Sequence, residues 1–286
     1  MKGIVWLASY PKSGNTWFRV FLNNLLAGGD EPADINDLKI APIASARDIF
    51  DDGIGIEASD LSAEEIDLLR PRLYSHLAEE TEGPLFMKIH DAYTLVADNT
   101  PLIPEKATAG ALYFIRNPLD VAVSFAHHIG CDYDTSITYI ARDDRFFCGE
   151  PGRLHVQLRQ RLLSWSGHVE SWMDHPPFPV CLIRYEDMKL RTLETFTNAV
   201  RFAGLPHVHE QIRKALDFSS FDNVQKQECA EGFREKNPAS VRFFRKGEIG
   251  SWREELTDGQ AARVVRDHCK VMRRFGYLDG NGDPVY

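Results

Sequence analysis

The segment that most constrains the fold is a short apolar run, Gly3–Ser9, that leads through a small polar loop directly into a helical pattern. The run has the length and the aliphatic content of a buried strand. After the loop, apolar residues recur at helical spacing from Trp17 to Leu25, and Gly28 ends the pattern. The start of a helix presents free backbone N–H groups, which favour a bound anion. The segment therefore predicts an α/β fold with an anion-binding loop.

Three further apolar runs are similar in length and composition to the first. They are residues 85–89, 111–115 and 180–183, and helix-length segments separate them. This alternation is typical of a buried parallel sheet with crossover helices. We therefore expect a P-loop-like central parallel β-sheet flanked by helices on both faces. Because no repeat or long flexible linker interrupts the chain, one domain over residues 1–286 is the preferred division.

Helix signals recur between and after these runs. Ser62 and Glu65 have the spacing of a capping box, and Pro71 should kink or divide the helix that follows. Asn117-Pro118 predicts another helix start. Further helices are expected over residues 154–173, 193–203, 210–215 and 259–275. The segments interpreted as variable loops or lids are residues 28–53 and 132–152.

The charge of the chain is acidic and unevenly distributed. Lys and Arg number 33 and Asp and Glu number 42, which gives a net charge of −9 and disfavours nonspecific binding to nucleic acid or anionic membranes. Residues 30–82 alone hold 15 acidic and 4 basic residues, so the rest of the chain is nearly neutral. A solvated helix face is the favoured interpretation of this acidic segment.

The sequence has no stretch near the roughly 18 apolar residues that a membrane span requires, and its start leads into the first strand rather than a signal peptide. The five cysteines are widely spaced and contain no Cys-x-x-Cys pair, which indicates reduced thiols. We expect a cytoplasmic protein with no nucleic-acid partner and no membrane span. The oligomeric state stays open.

The loop after the first run carries several groups suited to a phosphate. It reads Lys12-Ser13-Gly14-Asn15-Thr16-Trp17. The glycine permits close approach, the hydroxyls can donate hydrogen bonds and the lysine supplies a charge. The loop is not a Walker A motif, because the chain contains no Gly-Lys dipeptide, and an ordinary ATPase or GTPase is therefore disfavoured. A simple helix cap with a solvated lysine is the alternative.

The order Lys-Ser-Gly-x-Thr, followed by Trp17, resembles the 5′-phosphosulfate loop of sulfotransferases that use 3′-phosphoadenosine 5′-phosphosulfate (PAPS). Residues 113–125 resemble the 3′-phosphate motif of that family, with Arg116 at a strand end and Ser124 eight residues later. Arg116 can bind two phosphate oxygens, and Ser124 would present its hydroxyl from the following helix. A salt bridge from Arg116 to Asp120 at the helix start is the alternative.

Residues 243–252 resemble the family's Arg-Lys-Gly-x-x-Gly-Asp-Trp segment, with Ser251 in place of the aspartate. Six basic and two acidic residues lie within residues 234–253, so a basic phosphate-binding loop is expected, with a solvated loop as the alternative. The resemblance implies nucleotide contacts from Phe243, Arg245, Lys246 and Gly247. Smaller family signatures imply adenine contacts from Trp17, Tyr185, Ser219 and Phe221, although isolated aromatics are more often core residues.

The second apolar run contains Lys88 and ends at His90, and residues two apart on a strand share a face. A histidine at the carboxyl end of a strand lies where α/β proteins build their sites. The family pattern Lys-x-His occurs at this place, and its histidine is the general base. His127 and His128 compete as acceptor-site residues, but neither belongs to a motif.

The resemblance implies an enzyme that transfers a sulfonate from PAPS to a hydroxyl or amine of a small-molecule acceptor and leaves 3′,5′-bisphosphoadenosine (PAP). His90 would take the acceptor proton, while Lys12 and Lys88 would stabilise the leaving and transferring groups and Ser124 would restrain Lys12. No metal-ligand spacing occurs in the chain. A P-loop small-molecule kinase and a noncatalytic nucleotide-binding protein are the alternatives, and the acceptor stays open.

Overall fold

The computed structural model describes residues 2–149, 155–206 and 208–286. The strands are β1 Gly3–Ser9, β2 Pro84–Ile89, β3 Thr108–Ile115, β4 Phe146–Phe147, β5 Gln160–Arg161 and β6 Val180–Arg184. Four of them form a parallel sheet in the order β2-β1-β3-β6, and β4 pairs with β5 in a small antiparallel ribbon. All four predicted apolar runs are therefore confirmed as neighbouring parallel strands.

The helices surround this sheet. They are α1 Asn15–Ala27, α2 Arg47–Ile54, α3 Ala63–Glu80, α4 Pro118–Ile129, α5 Tyr133–Ile140, α6 Trp165–Asp174, α7 Tyr185–Leu190, α8 Thr192–Phe202, α9 His209–Phe218, α10 Phe221–Glu231, α11 Trp252–Glu255 and α12 Asp258–Arg274. Short 3-10 turns lie at Ala58–Asp60 and Glu105–Ala107. Within the described part of the chain, no helix is both long enough and apolar enough to cross a membrane.

The alternation of side chains along β1 divides the core between the two faces of the sheet. Trp6 and Ala8 pack in a cluster with α3, α4, α6 and α12. Val5 and Leu7, which point the other way, pack in a second cluster with α1, α8 and α9. Full burial of one such aliphatic side chain contributes about 1.5–3 kcal/mol. The fold is thus α/β, a central parallel sheet with helices on both faces, as the sequence predicts.

The predicted capping box is present at the start of α3, where the Ser62 hydroxyl accepts from Glu65 N and the Glu65 carboxylate accepts from Ser62 N. Of the two effects expected of Pro71, a kink or a division, the division does not occur, because α3 continues through it. Its amphipathic face, with Leu73 and Tyr74 buried against the sheet, outweighs the one backbone hydrogen bond that proline removes.

Three other boundaries differ from the prediction. The helix expected over residues 154–173 begins only at Trp165, because the Ser164 hydroxyl caps it and Leu163 has a φ of 59°; Leu154 lies outside the described residues. The supposed loop 28–53 contains most of α2. The supposed loop 132–152 contains α5 and β4, and its residues 150–152 lie outside the described part. Helices α2 and α5 have eight residues each, which is too short for a clear period. Helices α7, α10 and α11 also have no counterpart in the prediction.

Candidate active site

A cavity of about 870 Å³ opens at the carboxyl ends of the four parallel strands. The loops that follow these strands place Lys12, His90, Arg116 and Tyr185 in its wall. This edge is where open parallel sheets bind ligands. No residue of the acidic segment 30–82 lines the cavity, so this segment lies away from it.

The phosphate loop is held in a constrained conformation. Lys12 has a φ of 71°, a left-handed conformation that is rare for residues other than glycine. Gly14 has a φ of 100°, and a Cβ atom there would lie 2.8 Å from the Tyr185 ring. The Asn15 amide donates to Leu7 O at 2.7 Å and to Ser9 Oγ at 3.2 Å, which fixes the helix start to β1. The backbone thus faces the cavity in a shape that a plain helix cap does not require.

Other polar groups of the loop stay available. The Ser13 hydroxyl is buried and has no hydrogen-bond partner among the described residues. Asn15 and Thr16 line the cavity at the first turn of α1. An orphaned buried donor at a helix start is a feature that a bound anion would satisfy.

Arg116 lies across the cavity floor. Its guanidinium donates to Glu248 O at 2.8 Å and to Lys12 O at 3.3 Å, and it stacks on the Tyr185 ring at 4.2 Å. Its Nε atom is buried without a partner in the described residues. The nearest carboxylate oxygen of Asp120 is 3.9 Å away, so the helix-start salt bridge is at most a minor contact. Arg116 is instead tied to the two loops expected to bind phosphate.

Lys12 extends into this cationic environment, with its ammonium 3.9 Å from the centre of the Phe243 ring. Burial, reinforced by the charges of Arg116 and Lys88, lowers the pKa of Lys12 to about 7. A lysine in this state gains its full charge when an anion arrives. The cavity is thus electrostatically prepared for an anionic ligand.

The basic loop at residues 243–252 is anchored by Asp120, a role that the sequence did not reveal. The Asp120 carboxylate accepts from Gly250 N at 2.8 Å, Trp252 N at 3.1 Å and the Ser251 hydroxyl at 3.2 Å. Ser251, which replaces the family's aspartate, therefore takes part in the anchor. The sequence signal for this role was only the position of an acidic residue in the first turn of α4.

Within this loop, Gly247 has a φ of 63°, and a Cβ there would lie 2.5 Å from the Phe221 ring. Glu255 holds the two basic side chains, at 2.7 Å from Arg245 and 2.9 Å from Lys246. The same carboxylate contacts His127, which is consequently drawn to the rim rather than to the base position. Arg245 and Lys246 thus reach the cavity already oriented by a carboxylate.

His90 is 8% exposed and lies at the end of β2. Its Nδ1 atom is 2.8 Å from Ser9 O, and because a carbonyl only accepts, Nδ1 carries the proton. The second ring nitrogen, Nε2, is then the acceptor. Burial, with the charge of Lys88 adding to it, holds the pKa of His90 well below its usual value. The ring is therefore neutral at neutral pH, and its Nε2 lone pair is unprotonated.

A second histidine supports this arrangement from beneath. His168 Nε2 donates to His90 O at 3.0 Å, and its Nδ1 accepts from the Tyr113 hydroxyl at 2.8 Å. His168 is fully buried, and burial lowers its pKa to about 3. His168 therefore fixes the strand end that carries His90. Nothing in the local sequence reveals this contact, because 78 residues separate the two histidines.

Lys88 lies on the same strand, with its ammonium 3.1 Å from the Glu235 carboxylate. Burial lowers the pKa of Lys88, and the Glu235 charge opposes that shift. Both side chains line the cavity, together with His90. Lys88 and His90 therefore share one face, as the two-residue spacing predicts.

Of the four residues expected around adenine, Trp17, Tyr185 and Phe221 line the cavity, and Ser219 does not. The Trp17 indole packs edge-on against Tyr185 and tilted against Phe196. The Tyr185 ring also packs against the Arg116 guanidinium. Ser219 is fully buried and donates to Leu216 O, so it lies behind the wall.

Next to His90, the cavity wall is mainly aromatic. Phe147 contacts the rings of His90, Phe125 and His128, at centroid distances from 6.1 to 6.4 Å. His128 is buried there, and burial lowers its pKa to about 3. Ser124 lines the same cavity from α4. Of the two competing histidines, only His128 reaches the cavity, and as a neutral ring.

The described residues contain no group of three or more His, Cys, Asp or Glu side chains arranged to hold a metal ion.

The comparisons with known proteins agree with the geometry. Sulfotransferase 1A1 of Canis lupus familiaris is 25% identical over 283 residues, which cover 94% of this chain and 83% of the relative. Cytosolic sulfotransferase 1 of Arabidopsis thaliana is 25% identical over 264 residues, which cover 88% and 73% of the two chains. A crystal structure of a mouse sulfotransferase complexed with PAP has the same fold, with a TM-score of 0.61, 19% identity and coverage of 96% and 84%.

A retinol dehydratase in complex with androsterone and the inactive cofactor PAP is similar to the same degree, with a TM-score of 0.59, 19% identity and coverage of 97% and 83%. The decisive match is to the sulfotransferase domain family, whose profile covers residues 2–276. This match spans all four parallel strands and every loop of the cavity wall. The chain belongs to the sulfotransferase family and is an enzyme of that class.

Proposed function

We propose that this protein transfers a sulfonate from PAPS to a hydroxyl or amine of a small-molecule acceptor, with His90 as the general base. The observation that carries the proposal is the hydrogen bond from His90 Nδ1 to Ser9 O, which leaves Nε2 as the proton acceptor in a cavity rich in cations. Family membership and the PAP-bound solved structures support the donor.

The residues around the cavity fit a nucleotide with phosphate groups at both ends. The loop from Lys12 to Trp17, with its orphaned Ser13 hydroxyl, suits the 5′ end. The unpaired Arg116 Nε suits the 3′-phosphate. The other side chains proposed for the 3′ end are Ser124, Arg245 and Lys246, with Phe243 and Gly247 shaping the loop. The proposed adenine contacts are Trp17, Tyr185 and Phe221. Tyr185 also supports Arg116, and the buried Ser219 acts through packing.

The proposed step is an in-line displacement at sulfur. The acceptor oxygen or nitrogen forms a bond to sulfur, its proton passes to His90 Nε2, and the bond from sulfur to the phosphate oxygen breaks with its electron pair remaining on PAP. Lys12 stabilises the charge on the departing oxygen, and Lys88 stabilises the transferring group. Ser124 is proposed to restrain Lys12 before the acceptor binds.

The acceptor side is proposed to take a small molecule with an apolar body, because Phe125, Phe147 and Tyr139 line that part of the cavity. The solved retinol dehydratase holds androsterone. We further propose that residues 1–286 act as a single domain and that the protein works in the cytoplasm.

The test is direct incubation of the purified protein with PAPS and a panel of phenols, alcohols and amines, with PAP and sulfated product measured by mass spectrometry. We expect one PAP for each sulfated product, and we expect calorimetry to give tighter binding of PAP than of Mg-ATP. Phosphate transfer from ATP without PAP binding would support a small-molecule kinase instead. Tight PAP binding with no transfer to any acceptor class would support a noncatalytic nucleotide-binding protein.

A further inference from the structure

A cluster of three charged side chains, two buried and one partly buried, lies beside the proposed reaction centre. It contains Arg19 on α1, Lys88 at the end of β2 and Glu235 in the segment after α10. Arg19 Nη1 lies 2.7 and 2.9 Å from the two oxygens of Glu235, and Lys88 Nζ lies 3.1 Å from one of them. The side chains of Arg19 and Lys88 are 2% and 8% exposed. We name this group the Glu235 triad.

Arg19 is itself fixed before it meets the carboxylate, because its Nε donates to Ala41 O at 2.8 Å. The orientation of Glu235 is therefore set by α1 and by the chain that follows it. Lys88 is the only member of the triad with a proposed role in sulfonate transfer. The fixed carboxylate determines where the Lys88 ammonium lies.

Glu235 is unsuited to serve as a general base. The charges of Lys88 and Arg19 outweigh burial and lower its pKa to about 2, so at neutral pH it has no appreciable affinity for a proton. Lys88, by contrast, meets several groups that oppose its charge. Burial is the largest cause, and Arg19 adds to it, while Glu235 opposes the shift. The other titratable groups that interact with Lys88 are Lys12, His90, His128 and Cys148.

We propose that Glu235 is a positioning residue for Lys88: its carboxylate, oriented by Arg19, holds the Lys88 ammonium beside His90 and keeps it charged during transfer. This inference rests on the proposed function, because it assigns Lys88 to the transferring group. Since Glu235 lies in the segment that leads to the basic loop at 243–252, the triad also connects that segment to the strand that carries His90. A purely structural strut would make the same connection but would not depend on the sign of each charge.

The sign of each charge supplies the test. Glu235→Gln removes the negative charge and keeps a hydrogen-bond acceptor. Arg19→Gln removes a positive charge but keeps a side-chain amide that can donate to Glu235, so the Glu235 contact to Lys88 is expected to remain. Transfer with a charged Lys88 is lost as pH rises through the pKa of Lys88 in the ternary complex. The midpoint of the basic limb of the kcat–pH profile should therefore shift to lower pH in Glu235→Gln and to higher pH in Arg19→Gln. The expected shift is about one pH unit, which is a tenfold change in the titration constant.

The measurement is kcat at saturating PAPS and acceptor over the full pH range, with PAP binding by calorimetry and a thermal melt for each variant. At saturation, kcat reports only groups that titrate in the complex, so the titration of Lys12 in the free protein does not affect the profile. Glu235→Asp keeps the charge and should restore most of the wild-type limb. Glu170→Gln, which removes a Glu–Lys pair of 3.0 Å with Lys270 away from the cavity, is the matched control and should leave the limb in place.

Opposite shifts in the two variants, with KM for PAPS within about threefold of wild type, support the inference. Equal losses of kcat with no movement of either limb overturn it and leave a structural strut. If Glu235→Gln does not fold, the Arg19→Gln profile decides alone, because an unmoved or lowered limb contradicts the proposal. A wild-type protein without sulfonate transfer from PAPS would contradict the proposed function itself, which is a different result.

Discussion

The pKa values of single residues in this site are shifted far from their usual values by burial and by neighbouring charges. Lys12 shows this most clearly, because its burial beside Arg116 and Lys88 lowers its pKa to about 7. His90 is neutral for a related reason, since burial and Lys88 both oppose its protonation. A nucleotide with two anionic ends would oppose the first effect, because an anion favours the charged form of Lys12. Burial and neighbouring charges therefore lower the pKa of both residues.

Lys12 yields a prediction about proton uptake. An anion favours the charged form, so PAP should raise the pKa of Lys12 from about 7 and take up a proton when binding occurs above that pH. The contribution of Lys12 to PAP affinity should accordingly be lost as pH rises from 7 toward the ordinary lysine value. Calorimetry at pH 8 in buffers of different ionisation enthalpy should detect uptake of up to one proton. Lys12→Gln should abolish this component, and an unchanged uptake in that variant would exclude Lys12 as its source.

At the scale of elements, the site depends on contacts between segments that are far apart in the chain. The first turn of α4 supplies Asp120, whose carboxylate holds two backbone N–H groups and one hydroxyl of the basic loop at residues 250–252. The turn before α4 is held in the same way, because Asn117 N donates to the Glu186 carboxylate of α7 at 3.0 Å. Short carboxylate bridges thus join the loops after β3 and β6 into one rigid wall.

The Asp120 anchor predicts a loop defect. Hydrogen bonds to a charged acceptor contribute about 1.5–3 kcal/mol each, so Asp120→Asn should loosen the basic loop and weaken PAP binding by at least about tenfold. Hydrogen–deuterium exchange of peptides covering residues 243–255 should become faster, while exchange in the central strands stays slow. Asp134→Asn, which removes an exposed pair with Arg263, is the matched control. Unchanged exchange in the Asp120 variant would show that the loop is held by other contacts.

The elements that could be predicted from the sequence are those with a strong local signal. Four apolar runs of strand length became the four parallel strands, and the Ser62 capping box began α3 where expected. The eight-residue helices α2 and α5 gave no usable period, and the positive φ of Leu163 that precedes α6 has no sequence signature in a leucine. The errors therefore fall where tertiary packing decides a short segment.

The positions of the motif residues in the whole molecule could be predicted from the sequence. Each motif is one continuous segment of chain. The supporting residues could not be predicted, because Ser9, Asp120, His168 and Glu235 act on partners that lie 78 to 147 residues away in the chain. Ser219 was assigned to adenine from a short signature, whereas the structure buries it behind the wall. A local pattern identifies which residue carries a charge, but only the fold identifies what holds that charge.

The distribution of charge over the whole molecule resolves an apparent conflict with an anionic ligand. The chain carries a net charge of −9, yet the carboxylates of residues 30–82 lie away from the cavity. Some of these carboxylates form salt bridges outside the cavity, as Glu64 and Asp67 do with Arg159. The cavity collects Lys12, Lys88, Arg116, Arg245 and Lys246 instead. Net charge therefore limits nonspecific binding and does not oppose one anionic pocket.

This protein is a sulfotransferase, and His90 is its proposed proton acceptor. The most direct measurement is the rate of sulfonate transfer from PAPS by His90→Ala, made beside PAP binding by the same variant. We predict a rate loss of about a hundred- to ten-thousand-fold with PAP binding retained, while His76→Ala, an exposed histidine on α3, keeps the wild-type rate. Arg116→Ala, by contrast, should weaken PAP binding itself. Undiminished transfer by His90→Ala would contradict the account.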